Sequence, residues 1–310
     1  MRQTKSTRFS LLFCQDLTKV GGNKVEKYVE RIKQVYPSLS VKDCKLNEIG
    51  QNNDVIIVNG SIVFRFPKYQ KGIESLKKET EILGAIKSNV SIPIPNPIYQ
   101  SFEEWEVGNV FVGYEFIQGS PLWKASLGSI DNEEVLKRLA SQLVNFLIEI
   151  HTISKNMLPL EESNPRDQIV NLYQRIQNKL YPLMSVEAQR QISHSFETFL
   201  HKEICLNLNS TLVHGDFGAT NILWEPHTKK ISGIIDFGGS DIGDPAYDFA
   251  GILSSYGKDF YNMCLNLYPN GTEIAERVTF YRSTFALQEA LHGVENADPA
   301  AFENGIKAYI

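Results

Sequence analysis

Two neighbouring stretches decide the fold of this 310-residue chain: LVHGDFGATNILW (residues 212–224) and GIIDFGGSDIGDPAYD (residues 233–248). The polar, proline-containing loop EPHTKK lies between their β-rich runs and predicts an antiparallel hairpin. Folding there brings Asn221 and Asp236 to the same open end, with Asp216 on the loop that leads into the hairpin. Two carboxylates and an amide in this arrangement suit a site that holds a divalent metal and polarises a hydroxyl near a phosphate.

Each of these three side chains also has a purely structural explanation. Asp216 in a glycine-containing loop is typical of a turn residue, and Asn221 is typical of a turn cap. Asp236 is harder to explain in this way, because it follows the apolar run Gly233–Ile235, where burial is expected and a buried carboxylate needs a partner. The joint pattern therefore favours a functional site.

Composition describes an ordinary globular protein, with 42% hydrophobic and 22% charged residues. We find no signal-peptide core and no apolar run of membrane-spanning length, so we expect a cytoplasmic protein without a membrane partner. The four cysteines show no metal-ligand spacing. Residues 1–118 hold 16 Lys and Arg against 13 Asp and Glu, whereas residues 119–310 hold 15 against 23. The more basic first part, residues 1–118, suits an anionic ligand, and the acidic second part, residues 119–310, suits a cationic small molecule. The acidic second part also argues against nucleic acid as a partner.

The order of predicted elements indicates an α+β fold with two lobes. After a first amphipathic helix, residues up to 118 alternate β-rich runs with one helix, residues 72–87. From residue 131 onward, long amphipathic helices dominate, apart from the late hairpin. We place the lobe boundary at Gly119, which gives a nucleotide-binding lobe over residues 1–118 and a catalytic and substrate-binding lobe over residues 119–310.

A second hairpin is predicted at Asn59-Gly60, since this dipeptide is the strongest short-range hairpin signal. A two-residue turn would place Val58 opposite Ser61 and, counting outward, Asp54 opposite Arg65. Ile62, Phe64 and Phe66 would then share one face of the strand, with Arg65 on the other face.

The pattern HGDxxxxNIL, followed by IDFG and DPxxD, resembles the catalytic and metal-binding segments of the aminoglycoside phosphotransferase family. The resemblance extends over most of the chain from about residue 25. It implies a bilobal protein-kinase-like fold with a small β-sheet lobe that carries a helix, and a larger, mostly helical lobe. It also implies Mg²⁺ as cofactor and GTP or ATP as phosphoryl donor.

The resemblance gives individual residues their expected roles. Asp216 would accept or orient the proton of the substrate hydroxyl, while Asn221 and Asp236 would hold Mg²⁺ on the nucleotide phosphates. His214 would be a structural member of the catalytic loop. Asp248 would brace that loop through backbone hydrogen bonds, and Asp244-Pro245 would begin the helix that carries it.

In the front half, FRFPK resembles the strand that carries the phosphate-binding lysine of kinases, with Arg65 in place of the lysine. Arginine keeps the charge but differs in shape. Glu79 matches the helix glutamate that pairs with this residue. The remaining expected nucleotide contacts are the phosphate-covering loop and the purine-binding strand and hinge: Gly50, Gln51, Asn52, Tyr114, Glu115 and Ile117.

The expected acceptor is a cationic aminoglycoside, bound by a monomer. The front half is most similar to the aminoglycoside 2''-phosphotransferases, which often use guanine nucleotides, so we expect GTP to serve at least as well as ATP. The segment GILSSYG after DPAYDFA lacks the acidic residues that those enzymes tend to place there. Candidate replacements are Glu161, Glu162, Asp167, Asp241, Glu289 and Glu295.

Other functions remain open from the sequence. The tail over residues 277–302 is faintly similar to macrolide phosphotransferases, which leaves a macrolide or another small-molecule hydroxyl as acceptor. Arg65 and the glycine-poor loop leave open a catalytically silent nucleotide-binding protein. A metal-dependent hydrolase fits less well, because the chain lacks the His/Asp cluster such sites usually show.

Overall fold

An antiparallel five-stranded sheet forms the first part of the computed structural model, which describes residues 22–47, 52–202 and 208–310. In space the strands follow the order β1-β2-β3-β5-β4. The elements of this region are α1 (Gly22–Val35), β1 (Cys44–Asn47), β2 (Asn53–Val58), β3 (Ile62–Pro67), α2 (Gln70–Ile86), β4 (Tyr99–Ser101) and β5 (Phe111–Glu115).

The two faces of this sheet are covered by different helices. Phe64, Phe66 and Phe111 pack with Tyr28 and Ile32 of α1 in one apolar cluster. The opposite face packs against the buried side of α2, because side chains alternate along a strand. Position 65 lies on the face that α2 covers.

The first hairpin has a different register from the predicted one. The Ser61 N–H donates to the Val58 carbonyl (3.0 Å), as a two-residue turn requires, but Val58 lies opposite Ile62 in the ladder. Ser61 is thus an extra residue that shifts every later pair by one position. Arg65 lies opposite Val55, so the predicted pairing of Asp54 with Arg65 is wrong.

Asp54 has partners on other elements. This buried carboxylate accepts a hydrogen bond from the Tyr28 hydroxyl (2.8 Å) and pairs with Lys24 Nζ (2.8 Å). Lys68 Nζ lies 3.7 Å from its second oxygen. Asp54 therefore ties α1 to the sheet, and Arg65 is left to pair elsewhere.

The described residues divide into two compact units. The first comprises residues 22–47, 52–142, 156–159 and 219–240, and the second comprises residues 143–155, 160–202, 208–218 and 241–310. The described part of the predicted front lobe falls inside the first unit. The lobe boundary at residue 118 stays a prediction.

The first unit also contains a three-stranded sheet in the order β6-β8-β9. Its strands β8 and β9 form the hairpin predicted around EPHTKK, with Ile222 opposite Ile234. The additional elements are β6 (Ser120–Pro121), α3 (Lys124–Gly128), the first part of α4 (Glu133–His151), β8 (Ile222–Glu225) and β9 (Lys230–Ile234).

The second unit is mostly helical. The antiparallel pair β7 and β10 is its sheet, and α7 packs against the long helix α9. Its elements are the end of α4, α5 (Pro165–Lys179), α6 (Val186–Leu200), β7 (Thr211–Val213), β10 (Asp241–Gly243), α7 (Ala246–Tyr256), α8 (Lys258–Leu267), α9 (Gly271–Glu295) and α10 (Pro299–Ile306). The α+β class is confirmed. Helix α6, capped by the Ser185 hydroxyl, was not predicted.

No helix in the described residues is long and apolar enough to cross a membrane.

One ion-pair cluster in the second unit gives a stability prediction. Arg175 binds Glu295 (Nη2 to Oε2, 2.5 Å), and Lys179 binds it as well (2.8 Å). The hydrogen bond from Arg175 is the main cause that lowers the Glu295 pKa to about 2 from its ordinary value of 4.5. The lowered pKa makes this stabilisation present above pH 4.5 and lost as the pH falls toward 2. Urea unfolding at pH 7 is expected to show Glu295→Gln about 0.5–1 kcal/mol less stable than wild type, with the difference vanishing at acid pH. If the two proteins differed by the same free energy of unfolding at pH 7 and at acid pH, the ion pairs of Glu295 would not be the source of the stabilisation.

Candidate active site

The loop that carries Asp216 is held by a buried carboxylate on α7. Asp248 Oδ2 accepts a hydrogen bond from the His214 N–H (2.8 Å), and Oδ1 accepts one from the Gly215 N–H (2.9 Å). Asp248 is fully buried, so its charge depends on these donors. The expected bracing of the loop by backbone hydrogen bonds is confirmed.

Two glycines allow this loop and α7 to approach each other. Gly215 has φ +80°, a conformation that side chains with a Cβ rarely adopt. At Gly251 of α7, a Cβ would lie 2.4 Å from the Phe217 carbonyl oxygen. Phe217 is buried, while the Asp216 side chain between these anchors is exposed. The loop thus presents its carboxylate on a fixed backbone.

His214 is a packed histidine, in agreement with its expected structural role. It is fully buried, and its Nδ1 accepts a hydrogen bond from the Asp216 N–H (3.2 Å). Its ring contacts the edge of Phe217. The following helix α7 starts at Ala246, one residue later than predicted, and Asp244 Oδ1 accepts the Ala246 N–H (3.0 Å).

Asp216 lines a cavity of about 150 Å³ whose other walls were not predicted from the sequence. Tyr247 and Phe285 give it aromatic walls, with their rings 5.5 Å apart. The Tyr247 hydroxyl donates to Gln288 Oε1 (3.0 Å), and Gln288 Nε2 donates to Thr284 Oγ1 (2.9 Å). Burial, and secondarily the charge of Asp216, raises the pKa of the Tyr247 phenol to about 12, which keeps it neutral.

The acidic residues proposed for the acceptor do not line this cavity. Among the described residues around it, Asp216 is the only carboxylate. Glu295 forms ion pairs with Arg175 and Lys179, and the role of the acidic candidates in acceptor binding stays a prediction. Residues of α7 and α9 form the walls, and their meeting depends on tertiary packing that spacing along the chain does not reveal.

In the first unit, Arg65 lies at the centre of a polar cluster. Its Nη1 is 2.5 Å from Glu79 Oε1, as the resemblance predicted, and its Nη2 is 3.7 Å from Asp236 Oδ1. Glu79 also accepts a hydrogen bond from the backbone of Phe237. One buried carboxylate thereby links α2, β3 and the turn after Asp236.

Electrostatics keep Arg65 charged and its neighbour Tyr114 neutral. Burial alone would lower the pKa of the Arg65 guanidinium, but Glu79 and Asp236 raise it above its ordinary value of 12.5. Burial raises the pKa of the Tyr114 phenol to about 12, against the hydrogen bond from Arg65. A cation therefore lies beside Asp236, with the neutral Tyr114 as its neighbour.

Asn221 and Asp236 lie at the same open end of the β8–β9 hairpin, as predicted. The Ile235 N–H donates to the Asn221 carbonyl (2.9 Å), so the residue before Asp236 pairs with Asn221. Asn221 is buried, whereas the Asp236 side chain is 54% exposed, so the expectation of a buried Asp236 is wrong. Its left-handed φ of 66° ends the strand and turns the carboxylate outward.

The donors at this end of the hairpin fit a magnesium ion. One carboxylate and one side-chain amide are hard oxygen ligands, and Mg²⁺ usually takes only one or two such groups, with water and phosphate oxygens completing its shell. The chain at Gly238 comes close to this carboxylate without crowding it, since a Cβ there would lie 3.5 Å from Asp236 Oδ1, an ordinary van der Waals contact. The described residues contain no group of three or more His, Cys, Asp or Glu that could hold a metal ion by itself. Asp216 belongs to the second unit, and its predicted convergence with Asn221 and Asp236 stays a prediction.

The remaining expected nucleotide contacts that the structure describes lie at or beside the ends of strands in the first unit. Gly50 and Gln51 fall outside the described residues. Asn52 is exposed, its carbonyl accepts the Lys68 N–H (3.0 Å), and its side chain is bound by the Tyr69 hydroxyl. Glu115 at the end of β5 is exposed, and Ile117 packs against Gly233, where a Cβ would lie 2.4 Å from it.

Comparison with known proteins supplies relatives that cover nearly the whole chain. The viomycin phosphotransferase of Streptomyces vinaceus is 27% identical over 291 residues, which are 92% of this chain and 99% of that protein. The GDP complex of the wild-type aminoglycoside 2'-phosphotransferase-IIIa is 25% identical, with a TM-score of 0.83 over 92% of this chain and 96% of that one. The GDP and kanamycin complex of APH(2")-IIia is also 25% identical, with a TM-score of 0.82 over 91% of this chain and 96% of that one.

These likenesses confirm the kinase-like α+β fold and the resemblance on which the site was predicted. The family model described as "Phosphotransferase enzyme family" matches residues 43–299, a span that includes Arg65, Glu79, Asp216, Asn221 and Asp236. The chain therefore belongs to the phosphotransferase enzyme family.

Proposed function

We propose that this phosphotransferase transfers the γ-phosphoryl group of GTP or ATP to a hydroxyl group of an aminoglycoside antibiotic. The observation that carries the proposal is the Asp216 loop: a backbone locked by Asp248 presents an exposed carboxylate to a cavity. Fixed geometry of this kind is the main source of catalysis in phosphoryl transfer, where positioning and charge neutralisation replace covalent chemistry.

In the proposed reaction, the acceptor hydroxyl oxygen forms a bond to the γ-phosphorus as the bridging bond to the β-phosphate breaks. Asp216 orients the hydroxyl and receives its proton, and the nucleoside diphosphate leaves. Asn221 and Asp236 would hold Mg²⁺, which neutralises charge on the phosphates when bound. Arg65 would donate to phosphate oxygens, held in place by Glu79.

We assign residues 1–118 to nucleotide binding and residues 119–310 to catalysis and acceptor binding. The assignment is supported by two relatives whose structures hold GDP, one together with kanamycin. Gly50 to Asn52 would cover the phosphates, and the backbones of Glu115 and Ile117 would contact the purine.

A second acceptor class is favoured by the cavity itself. Apart from Asp216, its described walls are aromatic or neutral, with Tyr247, Phe285 and Gln288 in place of an acidic cluster. Such walls suit an acceptor with fewer amines, such as a macrolide or another small-molecule alcohol. The viomycin phosphotransferase, 27% identical to this chain, adds viomycin to the candidates.

The deciding experiment is nucleoside diphosphate release with Mg²⁺, with GTP and ATP each tested against kanamycin, gentamicin, viomycin and erythromycin. Stimulation by kanamycin or gentamicin, with a phosphorylated product in mass spectra, supports the aminoglycoside proposal. If only erythromycin or viomycin stimulates release, the proposed reaction holds but the acceptor is that compound and not an aminoglycoside. Nucleotide binding without turnover for any acceptor would contradict the proposal.

Arg65→Lys is expected to raise the KM for the nucleotide about tenfold with a smaller change in kcat. Lysine keeps the charge but loses the planar fork that contacts Glu79 and Asp236 while facing a phosphate. Steady-state kinetics with GTP would measure this, with the exposed Lys71→Arg on α2 as matched control. An unchanged KM in both Arg65→Lys and Arg65→Gln would mean that Arg65 serves only as the partner of Glu79.

Tyr114→Ala is expected to raise kcat/KM for ATP relative to GTP several-fold, because the bulky ring limits how deeply adenine can enter. Tyr114→Phe is the matched control: it keeps the ring and loses only the hydrogen bond to Arg65. The measured quantity is the ratio of kcat/KM for ATP to kcat/KM for GTP. If this ratio stays constant in Tyr114→Ala, or changes equally in Tyr114→Phe, ring size does not set the nucleotide preference.

A further inference from the structure

Asp248, which braces the Asp216 loop, has a third donor from a distant part of the second unit. His151 Nε2 lies 3.1 Å from Asp248 Oδ2, and His151 Nδ1 lies 2.9 Å from the Tyr268 hydroxyl. His151 ends α4, and Tyr268 follows α8. The His151 and Asp248 side chains are 2% and 0% exposed. His151 thus links the residue after α8 to the buried carboxylate on α7.

The partners of this imidazole determine which nitrogen carries its proton. Asp248 is acceptor-only when ionised, so Nε2 must be the donor at this contact. Burial raises the pKa of the Tyr268 phenol to about 12, so its hydroxyl keeps its proton and can donate to Nδ1. An imidazole with its proton on Nε2 and a bare Nδ1 satisfies both contacts. The chain of donors runs from Tyr268 through His151 to Asp248.

We propose that His151 is a positioning residue for phosphoryl transfer: as the neutral Nε2–H tautomer, it fixes the Asp248 carboxylate that orients the Asp216 loop. The inference rests on the proposed role of Asp216. Asp248 Oδ2 receives both His151 Nε2–H and the His214 N–H, so the imidazole sets the angle at which the carboxylate meets His214 and Gly215. His151 itself has no contact with the reacting groups.

A positioning role and a simple packing role of His151 predict different effects of substitution. A packing residue would be replaced adequately by a ring of similar size, because it contributes only apolar contact. A positioning residue needs the donor at the place of Nε2. Glutamine can place an amide N–H there, and phenylalanine cannot, so these two substitutions form the matched pair.

The first measurement is kinetic. We expect His151→Phe to lose about 100-fold in kcat, as a misplaced catalytic group does, with nucleotide and acceptor KM within about threefold of wild type. His151→Gln should stay within about threefold of the wild-type kcat. A His151→Phe protein that folds and keeps its kcat overturns the proposal, as does equal loss in both variants.

The second measurement does not depend on turnover. Imidazole ¹⁵N shifts should report the Nε2–H tautomer in wild type and also in Tyr268→Phe, because Asp248 still requires that donor. In Tyr268→Phe the Nδ1 resonance should move, since Nδ1 loses its hydrogen-bond donor, with faster amide exchange at His214 and Gly215. Tyr256→Phe is the control, since the described residues offer its buried hydroxyl no hydrogen-bond partner. A wild-type imidazolium or Nδ1–H form overturns the proposal, and so does a Tyr268→Phe spectrum identical to wild type. If wild type binds nucleotide without transferring phosphate, the proposed function fails. The ¹⁵N shifts and the amide exchange rates then test by themselves whether His151 fixes the Asp248 carboxylate.

Discussion

Replacing Asp216 with asparagine is expected to lower kcat by about 10³, the usual contribution of a positioned general base. Asparagine has nearly the same shape, so the loop hydrogen bonds from His214 and Gly215 to Asp248 should persist. What is lost is the group that takes the proton of the acceptor hydroxyl. The measurement is acceptor-stimulated release of nucleoside diphosphate, beside nucleotide affinity from titration calorimetry.

Nucleotide affinity should remain within about threefold of wild type, because no nucleotide role is assigned to Asp216. The control is Asp259→Asn, an exposed aspartate in the first turn of α8 within the same unit. Its kcat should equal that of wild type. If Asp216→Asn transferred phosphate at the wild-type rate, Asp216 would be a turn residue and the proposed reaction would need another base.

The sequence predicted the fold class and both hairpins because these depend on local patterns. The EPHTKK loop and Asn59-Gly60 each separate two β-rich runs, and the structure pairs those runs as expected. The register of the first hairpin could not be predicted in the same way. The extra residue Ser61 changes no local propensity, yet it moves Arg65 from Asp54 to Val55.

The predictable part of the site is the part encoded within one motif. Asn221 and Asp236 share a hairpin end, and Asp248 lies in the second of the two motif segments, 34 residues after His214. His151, by contrast, ends an amphipathic helix and reads as an ordinary last-turn histidine. Only a tertiary contact between the end of α4 and α7 brings it to Asp248, and no spacing rule along the chain encodes that contact.

The exposure of Asp236 was mispredicted for a related reason. The strand β9 ends at Ile234, two residues before Asp236, and the backbone turns left-handed at Asp236. Glu79 then meets the turn through Phe237. Because the carboxylate is exposed, burial no longer argues for a functional role of Asp236, and the proposed role depends on its position beside Asn221 at the open end of the hairpin.

Asp236→Asn is expected to lower kcat at physiological Mg²⁺ by about 100-fold, because a neutral amide holds a hard divalent cation far less tightly than a carboxylate. The loss should shrink as Mg²⁺ rises, so the Mg²⁺ concentration for half-maximal rate shifts upward by at least about tenfold. The measurement is the rate of nucleoside diphosphate release over a Mg²⁺ titration at saturating GTP and acceptor.

Glu225→Gln is the matched control, since Glu225 is an exposed acid at the closed end of the same hairpin. Its Mg²⁺ dependence should equal that of wild type. Asp236→Asn also removes the carboxylate 3.7 Å from Arg65, which alone would change nucleotide KM. Arg65→Lys separates the two effects, because it should alter KM without moving the Mg²⁺ midpoint. An unshifted midpoint in Asp236→Asn would assign Asp236 to the Arg65 cluster and remove it from the metal site.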